Sequence, residues 1–425
     1  MKFFYRIIIL YFALLIIFTS LIIVSQMIPA SKISNHVIQS SKVLQDEGLY
    51  PKIFNFKLYQ LDNFTDVLML NLSLSVDSSN PVDAAMMNYY HWEAVDIMNF
   101  AQQTEELALN HKERFEELTY TRYWHGYQIF LRPLLTVINY SQIRILNYIL
   151  FTILLFFCIK LIYKKIGISV AILFVLSLLL INFPLVPLSM QFSTVFYIAF
   201  AAIIFILTKK HFLEKQENAC YCFLIIGAVT SYLDLLTAPL ITLGLPLIIY
   251  QLLIRNDKMS LTTIKLSVMW GLGYALLWAS KWFVAYLITG VNPFDEVIHQ
   301  VGVRISNDYK GMEMTIPNIC GFIWENFQSK NLTWLLYAGM ALIIGFPILY
   351  YAFLLKDKKT FWEYAWLLLI IASVPAWYII LRNHSMQHGW FTWRALLVSL
   401  FAGLIFLYYT VDWKRIFYKG KQNDD

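Results

Sequence analysis

The chain has 425 residues, of which 59% are hydrophobic and only 14% are charged, and its mean hydropathy is +0.58. A water-soluble domain of this length needs far more charge on its surface, so the composition predicts an integral membrane protein. The net charge of +6 does not indicate nucleic-acid binding, because the basic residues stand in short clusters between apolar runs. Four cysteines, scattered along the chain, give no disulfide framework.

The first element is an apolar run from Ile7 to Met27, preceded by Lys2 and Arg6. This run is longer than the roughly 7 to 15 residues of a signal-peptide core. We therefore expect an uncleaved anchor helix.

Ten apolar runs are long enough to cross the roughly 30 Å hydrocarbon core of a bilayer. Lys and Arg collect before the first run and after every second run, which predicts that those connections and both termini are cytoplasmic. The predicted fold class is all-α, a polytopic helical bundle that passes through the cell membrane about ten times. The runs cover residues 5–29, 143–162, 166–183, 191–208, 219–236, 239–254, 262–290, 331–355, 361–381 and 392–411.

This topology sends two long segments to the outer side, a first loop at 30–142 and a second at 291–330, within one membrane domain of residues 1–425. In the first loop, "AAMMNYYHWEAVDIMNFAQQTEELALNHKERFEEL" has helical spacing and predicts amphipathic helices on the membrane surface. Pro81 is expected in the first turn of a helix. The chain contains no visible internal repeat, which weakens the case for a transporter built from repeated halves.

Two acids, Asp62 and Asp66, stand four residues apart in "LDNFTDVLML" and share one side of a helix. One interpretation is a solvated face, or a helix cap at Asp62. The apolar neighbours favour the other, in which at least one carboxylate faces an interior cleft and acts as a general base or positions a substrate hydroxyl.

The first loop closes with "TRYWHGYQIFLRPLL", which contains His125 and Arg132. Both side chains could be interfacial anchors, as Trp124 and Tyr123 are expected to be. The pair also suits contact with an anionic headgroup, for which phosphate is the obvious candidate.

Asp234 and Lys281 each lie inside an apolar run near its outer end, where an unpaired charge costs roughly 2.5 kcal/mol or more. They could pair with each other and hold two helices together. Alternatively, Lys281 binds a substrate phosphate or pyrophosphate while Asp234 orients it or binds the acceptor.

The outer connection "LRNHSMQHGWFTWRAL" brings together four basic or potentially basic groups, which exceeds what anchoring needs and predicts a phosphate cradle. A zinc site is disfavoured, because a glycine interrupts the helix and no nearby acid completes a ligand set. The four residues are Arg382, His384, His388 and Arg394.

Two tryptophans of the same connection, Trp390 and Trp393, offer faces for a sugar or for the isoprene units of a lipid. Arg304 and Lys310 in the second loop could join the cradle, but solvated positions are the expected ones.

In the order of its features the chain resembles the GT-C superfamily of polytopic glycosyltransferases, which use polyprenyl-phosphate-linked sugars. The features are the first helix, the long first loop with "LDNFTD" and "RYWHG", and the late outer segment "RNHSMQHGWFTWR". The resemblance implies an inverting transfer in which Asp62 is the base and Asp66 its neighbour or substitute. It also implies that phosphate is contacted by cationic or potentially cationic side chains, the candidates being His125, Arg132, Lys281, His384, His388 and Arg394.

The chain departs from the family's paired acids by having Asn63 after Asp62. We expect neither a metal nor another cofactor. The expected partners are the lipid-linked sugar donor, membrane lipid, and a glycan or glycolipid acceptor of cell-wall or surface polysaccharide biosynthesis. A polysaccharide polymerase or ligase and a lipid-linked glycan transporter or flippase remain alternatives.

Overall fold

The computed structural model describes residues 2–55, 59–93, 99–309, 311–313, 315, 317–318, 321, 350 and 354–413. Most of the predicted span at 331–355 lies outside these residues, as does Lys310. The described part of the second outer loop is essentially its first half.

Helices make up most of the described chain. The segment at 30–142, which we call the first outer loop after its predicted side, holds five of the helices given below. In chain order the helices are α1 Lys2–Gln26, α2 Ser34–Glu47, α3 Asn63–Leu74, α4 Pro81–Met87, α5 Phe100–Ala108, α6 Gln128–Leu135, α7 Tyr140–Lys165, α8 Ile168–Leu180, α9 Met190–Thr208, α10 Lys210–Leu213, α11 Gln216–Leu233, α12 Leu240–Leu253, α13 Met259–Thr289, α14 Phe294–Ile305, α15 Lys358–Tyr364, α16 Trp366–Ile380, α17 Arg382–Gln387, α18 Gly389–Thr392 and α19 Leu396–Thr410.

Strands are short and occur only as two antiparallel pairs among the described residues. β1 (Tyr89–Trp92) pairs with β2 (Glu116–Thr119), and β3 (Asp308–Tyr309) pairs with β4 (Met312–Glu313). The first pair lies in the segment for which only amphipathic helices were predicted. Helices occur there as α4 and α5, the two strands were not predicted, and the place of the helices on the membrane surface stays a prediction. Pro81 begins α4, as its position in the sequence predicted.

Five helices of the described chain are long and apolar enough to cross a membrane, which confirms the prediction of a helical membrane protein. A sixth span results if α15 and α16, which are bent by 51° at their junction, cross as one. The predicted runs at 166–183 and 239–254 form the shorter helices α8 and α12. The count of ten and the cytoplasmic termini stay predictions. The five helices are α1, α7, α9, α13 and Gly389–Thr410, which contains α18 and α19.

The two ends of the bundle differ in chemistry. At one end the first outer loop packs on the bundle, where Arg132 donates a hydrogen bond to the carbonyl of Ser25 at the end of α1. At the other end lie the basic connections, where Arg255 pairs with Glu363 at 3.0 Å. We call the first of these the loop end; it is the side that the sequence predicts to face outward.

The closest helix contact joins α11 to α13 through two glycines. A Cβ atom on Gly227 would lie 2.0 Å from the carbonyl oxygen of Trp270, and one on Gly273 would lie 2.0 Å from that of Leu224. Small residues on both sides therefore let the two backbones touch, which is how helices associate where the surrounding lipid is as apolar as they are.

The glycine contact makes a prediction about stability. Gly273→Ala should destabilise the protein by about 1 to 3 kcal/mol, because the new methyl group meets backbone that cannot move aside. Gly271→Ala is the matched control, since its Cβ would meet nothing within 4 Å, and alanine favours a helix over glycine. Thermal unfolding of the purified variants in detergent measures both, and equal midpoints for the two would contradict the packing.

Candidate functional site

Asp62 is both a helix cap and a buried carboxylate. It precedes α3 and accepts hydrogen bonds from the backbone N–H of Thr65 at 3.2 Å and from its hydroxyl at 2.9 Å. Only 1% of the residue is exposed. The two interpretations made from the sequence, a cap and a group within a cleft, thus apply to the same side chain.

Three side chains from distant parts of the sequence lie near the Asp62 carboxylate. The indole nitrogen of Trp390 approaches it without reaching standard hydrogen-bond geometry. Arg394 and Tyr50 lie within electrostatic range of the carboxylate, and the rings of Tyr50 and Trp390 are 5.6 Å apart. Asp62 therefore lies among side chains of the first outer loop and of the segment that leads into α19.

Burial raises the pKa of Asp62 to about 6, and the nearby charge of Asp66 acts in the same direction, although the Thr65 donors oppose it. A carboxylate with a pKa near neutrality takes up a proton far more readily than an ordinary aspartate. The environment of Asp62 is thus suited to a general base.

Arg394 is a cation within electrostatic range of this acid, and its guanidinium is only partly satisfied. The residue is 1% exposed, its guanidinium lies 3.9 Å from the centre of the Phe192 ring, and one nitrogen donates to the carbonyl of Trp390 at 3.1 Å. The Nε atom and the other terminal nitrogen have no hydrogen-bond acceptor. A permanently charged group with unused donors in a buried place suits an anionic ligand.

Asp66, by contrast, is fully engaged with the protein. It accepts hydrogen bonds from the Tyr140 hydroxyl, from the Ser189 hydroxyl at 3.3 Å, and from the backbone N–H groups of Met190 at 3.2 Å and Gln191 at 3.1 Å. Burial raises its pKa, and these donors oppose the rise. Asp66 thus joins α3 to the start of α9, and its geometry suits positioning better than proton transfer.

The two histidines of the late outer segment are neutral hydrogen-bonding groups. Nδ1 of His384 lies 2.9 Å from a guanidinium nitrogen of Arg304, which can only donate, so Nε2 carries the proton and donates to the carbonyl of Leu236 at 3.0 Å. The His388 ring centre lies 4.8 Å from that of His384. Burial lowers the pKa of both, that of His388 to about 3. Their expected role as phosphate-binding cations has no support at neutral pH.

Arg304 does not occupy the solvated position that the sequence predicted for it. A solvated side chain was predicted, but α14 carries it onto His384, where it is only partly exposed. The reason is that Asn383 also holds this segment, donating to the hydroxyl of Ser306 at 3.0 Å and to the carbonyl of Asp308 at 2.6 Å. No carboxylate of the described chain forms a salt bridge with Arg304.

Lys281 and Asp234 do not pair with each other. Lys281 is buried and donates to the carbonyls of Ala85 at 2.7 Å and Met86 at 2.8 Å, in the last turn of α4. Cations suit these helix-terminal carbonyls. Asp234 ends α11 and accepts from the backbone N–H of Thr237 at 3.0 Å. The ion pair that was one interpretation of the sequence therefore does not form. Lys281 instead joins α13 to α4 through these hydrogen bonds.

Arg132 and His125 are likewise occupied by the protein itself. Arg132 donates to the carbonyls of Ser25, Ile28 and Ser73, so it joins the ends of α1 and α3. The imidazole of His125 contacts the Tyr127 hydroxyl at 3.0 Å and the Tyr120 carbonyl at 3.2 Å. Burial lowers the pKa of His125 to about 3.

These contacts separate the ten site residues predicted from the sequence into those available to a ligand and those already bound by other parts of the protein. Four of them belong to one connected group of side chains at the loop end, which we treat as the candidate pocket. Arg382 has a buried Nε without a partner, and Asp234 is linked to this group through Arg304 and Tyr123. Four others are bound to backbone carbonyls or to hydroxyl and amide donors. Sequence reasoning missed Tyr50 as a neighbour of Asp62, since nothing in its local sequence marks it. The pocket residues are Asp62, His384, His388 and Arg394; the occupied ones are Asp66, His125, Arg132 and Lys281.

Among the described residues no three His, Cys, Asp or Glu side chains come together as metal ligands. The expectation that the protein needs no metal stays a prediction. Comparison with known protein families, with curated proteins and with solved structures finds no match. Function must therefore be argued from the pocket itself.

The contrast between the two acids predicts opposite effects on stability. Asp66→Asn should lower the free energy of unfolding by about 1 to 3 kcal/mol, because the amide turns a donor toward groups that themselves donate. Asp62→Asn should keep the helix cap, since asparagine caps as well as aspartate, and it removes a buried charge. Thermal unfolding at neutral pH compares them.

The direction in which the stability of the protein changes with pH follows from the raised pKa of Asp62. Because the folded state holds this proton up to about pH 6, whereas an ordinary aspartate has a pKa of 3.8, ionisation costs stability as the pH rises through that window. The Asn variant should gain on the wild type between these values. A constant difference in midpoint across that range would show that the carboxylate is not buried.

Proposed function

We propose that this chain is an inverting GT-C-like glycosyltransferase of the cell membrane. It moves a sugar from a polyprenyl-phosphate donor to a cell-surface glycan, lipid or teichoic-acid-type acceptor on the outer face. The observation that carries the proposal is the buried Asp62 carboxylate next to Arg394, whose guanidinium keeps unused donors. An acid able to take a proton and a cation able to hold an anion are the two groups that such a transfer needs.

In the proposed reaction, the Asp62 carboxylate removes the proton from an acceptor hydroxyl. The acceptor oxygen then forms a bond to the anomeric carbon while the bond from that carbon to the phosphate oxygen breaks. The proton stays on Asp62, and the electron pair leaves with the lipid phosphate. The pKa of about 6 supports this role, because the base is ionised at neutral pH and yet holds the proton better than an ordinary aspartate.

Arg394 stabilises the charge that develops on the departing phosphate. Its guanidinium is rigidly held over the Phe192 ring, so little reorganisation is needed as the charge appears. Trp390 lies between the acid and the histidines, with its ring 5.4 Å from that of His388, and covers one side of the pocket.

The position of the pocket agrees with a lipid-linked donor. An apolar groove of about 1180 Å³ runs between α7, α9 and α11 and reaches Met190 at the loop end. The backbone N–H of Met190 is one of the donors to Asp66, one turn of α3 from Asp62. A polyprenyl chain in the membrane thus has an apolar surface that leads to the same end of the bundle as the proposed base.

The first test replaces the base. Asp62→Asn should reduce transfer by roughly 10² to 10⁴-fold, the usual contribution of a general base, while the fold is kept. Transfer of radiolabel from a polyprenyl-phosphate sugar is measured with the purified protein in liposomes. Unchanged transfer by the variant would refute the assignment, and movement of the labelled lipid across the bilayer without transfer would favour the flippase alternative.

The pH dependence gives a second test on the unaltered protein. The rate should rise as the pH passes about 6 and level off above it, because only the ionised form of Asp62 accepts the proton. The profile is measured again with a second acceptor. A pH dependence that stays the same belongs to the protein, whereas one that shifts belongs to a titrating group on the acceptor. A rate that falls across this interval would contradict a basic role.

A third test addresses the leaving group. Arg394→Gln should lower transfer by roughly 10² to 10³-fold, the loss that follows removal of one donor to a developing negative charge. Arg394→Lys keeps the charge and should recover part of this loss. Arg255→Gln, at the opposite end of the bundle, is the control and should transfer normally. Equal rates for Arg394→Gln and wild type would remove Arg394 from the mechanism.

A further inference from the structure

A second group of polar side chains gathers beside the histidines. Tyr123 ends the first outer loop, Asp234 ends α11, Tyr274 lies in α13, and Arg304 lies in α14. Tyr123 lies within electrostatic range of Asp234 and Arg304, and Tyr274 lies within range of all three. Four segments that are far apart in sequence therefore bring two phenols, one carboxylate and one guanidinium into one group.

These groups are left partly unsatisfied by the protein. Tyr123 is 2% exposed and Asp234 is 3% exposed, yet the Tyr123 hydroxyl and one carboxylate oxygen of Asp234 have no hydrogen-bond partner. Arg304 donates to His384, and the described chain offers it no salt bridge. Buried polar atoms without partners cost free energy, so a cluster of them indicates a place that is completed by something else.

The cluster is also rigid. The Tyr123 ring stacks on Trp278 at 6.3 Å, and the indole N–H of Trp278 donates to the carbonyl of Arg122 at 2.7 Å. The Tyr274 ring stacks on Trp270 at 5.2 Å. Side chains that are already fixed by such contacts lose little conformational entropy when a ligand binds to them.

We propose that Tyr123, Asp234, Tyr274 and Arg304 form a subsite that binds the hydroxyl groups of a sugar ring. The group holds one carboxylate and one guanidinium, so a neutral ligand suits it better than a phosphate or a cation does. Phenols, a carboxylate and a guanidinium together supply both donors and acceptors, which a ring of hydroxyls can satisfy simultaneously. The aromatic side chains around them suit the apolar faces of such a ring.

This inference rests on the proposed function and makes it more specific. Arg304 contacts His384, whose ring neighbours that of His388, and His388 in turn contacts Trp390 beside Asp62. A series of contacting side chains therefore links the subsite to the proposed base. The sugar could belong to the donor or to the acceptor, and the chemistry of recognition is the same for both.

The test measures binding of simple sugars without any transfer. Methyl glycosides of glucose, galactose, mannose and N-acetylglucosamine are titrated into the purified protein, and the tryptophan fluorescence and the unfolding midpoint are followed. At least one glycoside should bind. Tyr123→Phe and Tyr274→Phe should each weaken that binding about threefold to tenfold, the loss expected for one neutral hydrogen bond.

The variants are chosen to keep the fold. Removal of the unpartnered Tyr123 hydroxyl leaves no buried group stranded, and Asp234→Asn keeps an oxygen to accept from Thr237. Tyr250→Phe is the matched control, because its hydroxyl contacts the carbonyl of Leu213 at the opposite end. This control should bind the glycoside like the wild type. Inorganic phosphate serves as the second probe, and binding of phosphate but of no glycoside would overturn the inference.

The outcomes separate the inference from the proposed function. Glycoside binding that depends on Tyr123 and Tyr274, without transfer from any polyprenyl-phosphate sugar, supports the subsite and contradicts the transferase. Transfer that depends on Asp62 but is unchanged in KM and kcat by the tyrosine variants supports the transferase and overturns the subsite. When both hold, the substrate whose KM rises in Tyr123→Phe identifies the sugar as that of the donor or of the acceptor.

Discussion

A charge or a polar atom buried in an apolar bundle must find a partner, and this constraint organises the loop end of the protein. Arg132 and Lys281 meet it with backbone carbonyls at the ends of helices, and Asp66 meets it with four donors. Arg394 and Tyr123 meet it incompletely. The first group therefore builds the architecture, and the second marks the pocket in which we place the chemistry.

The membrane-spanning nature of the chain and the approximate positions of its apolar helices could be predicted from the sequence, because hydropathy over about 20 residues is a local property. The same holds for the helix that starts at Pro81 and for the cap at Asp62. The strand pair around Trp92 escaped prediction, since it depends on pairing with Glu116, a partner 24 residues away.

The roles of individual side chains could be predicted only in part. The late segment was expected to share a site with Asp62, and Arg394 of that segment lies within electrostatic range of this acid. Which cation is free and which is occupied could not be foreseen, since Lys281 and Arg132 are satisfied by carbonyls that the sequence does not mark. Arg304 illustrates the opposite error, as its burial depends on the contact of α14 with α17.

The contact of Asp66 with Met190 and Gln191 has a consequence for how the protein can be divided. The first turn of α9 carries backbone N–H groups that have no acceptor within the helix, and an acid from the first outer loop accepts hydrogen bonds from two of them. The outer loop is thus part of the transmembrane scaffold and not a detachable module. Exchanging this loop for that of another protein will require that the acid and the start of α9 are transferred together.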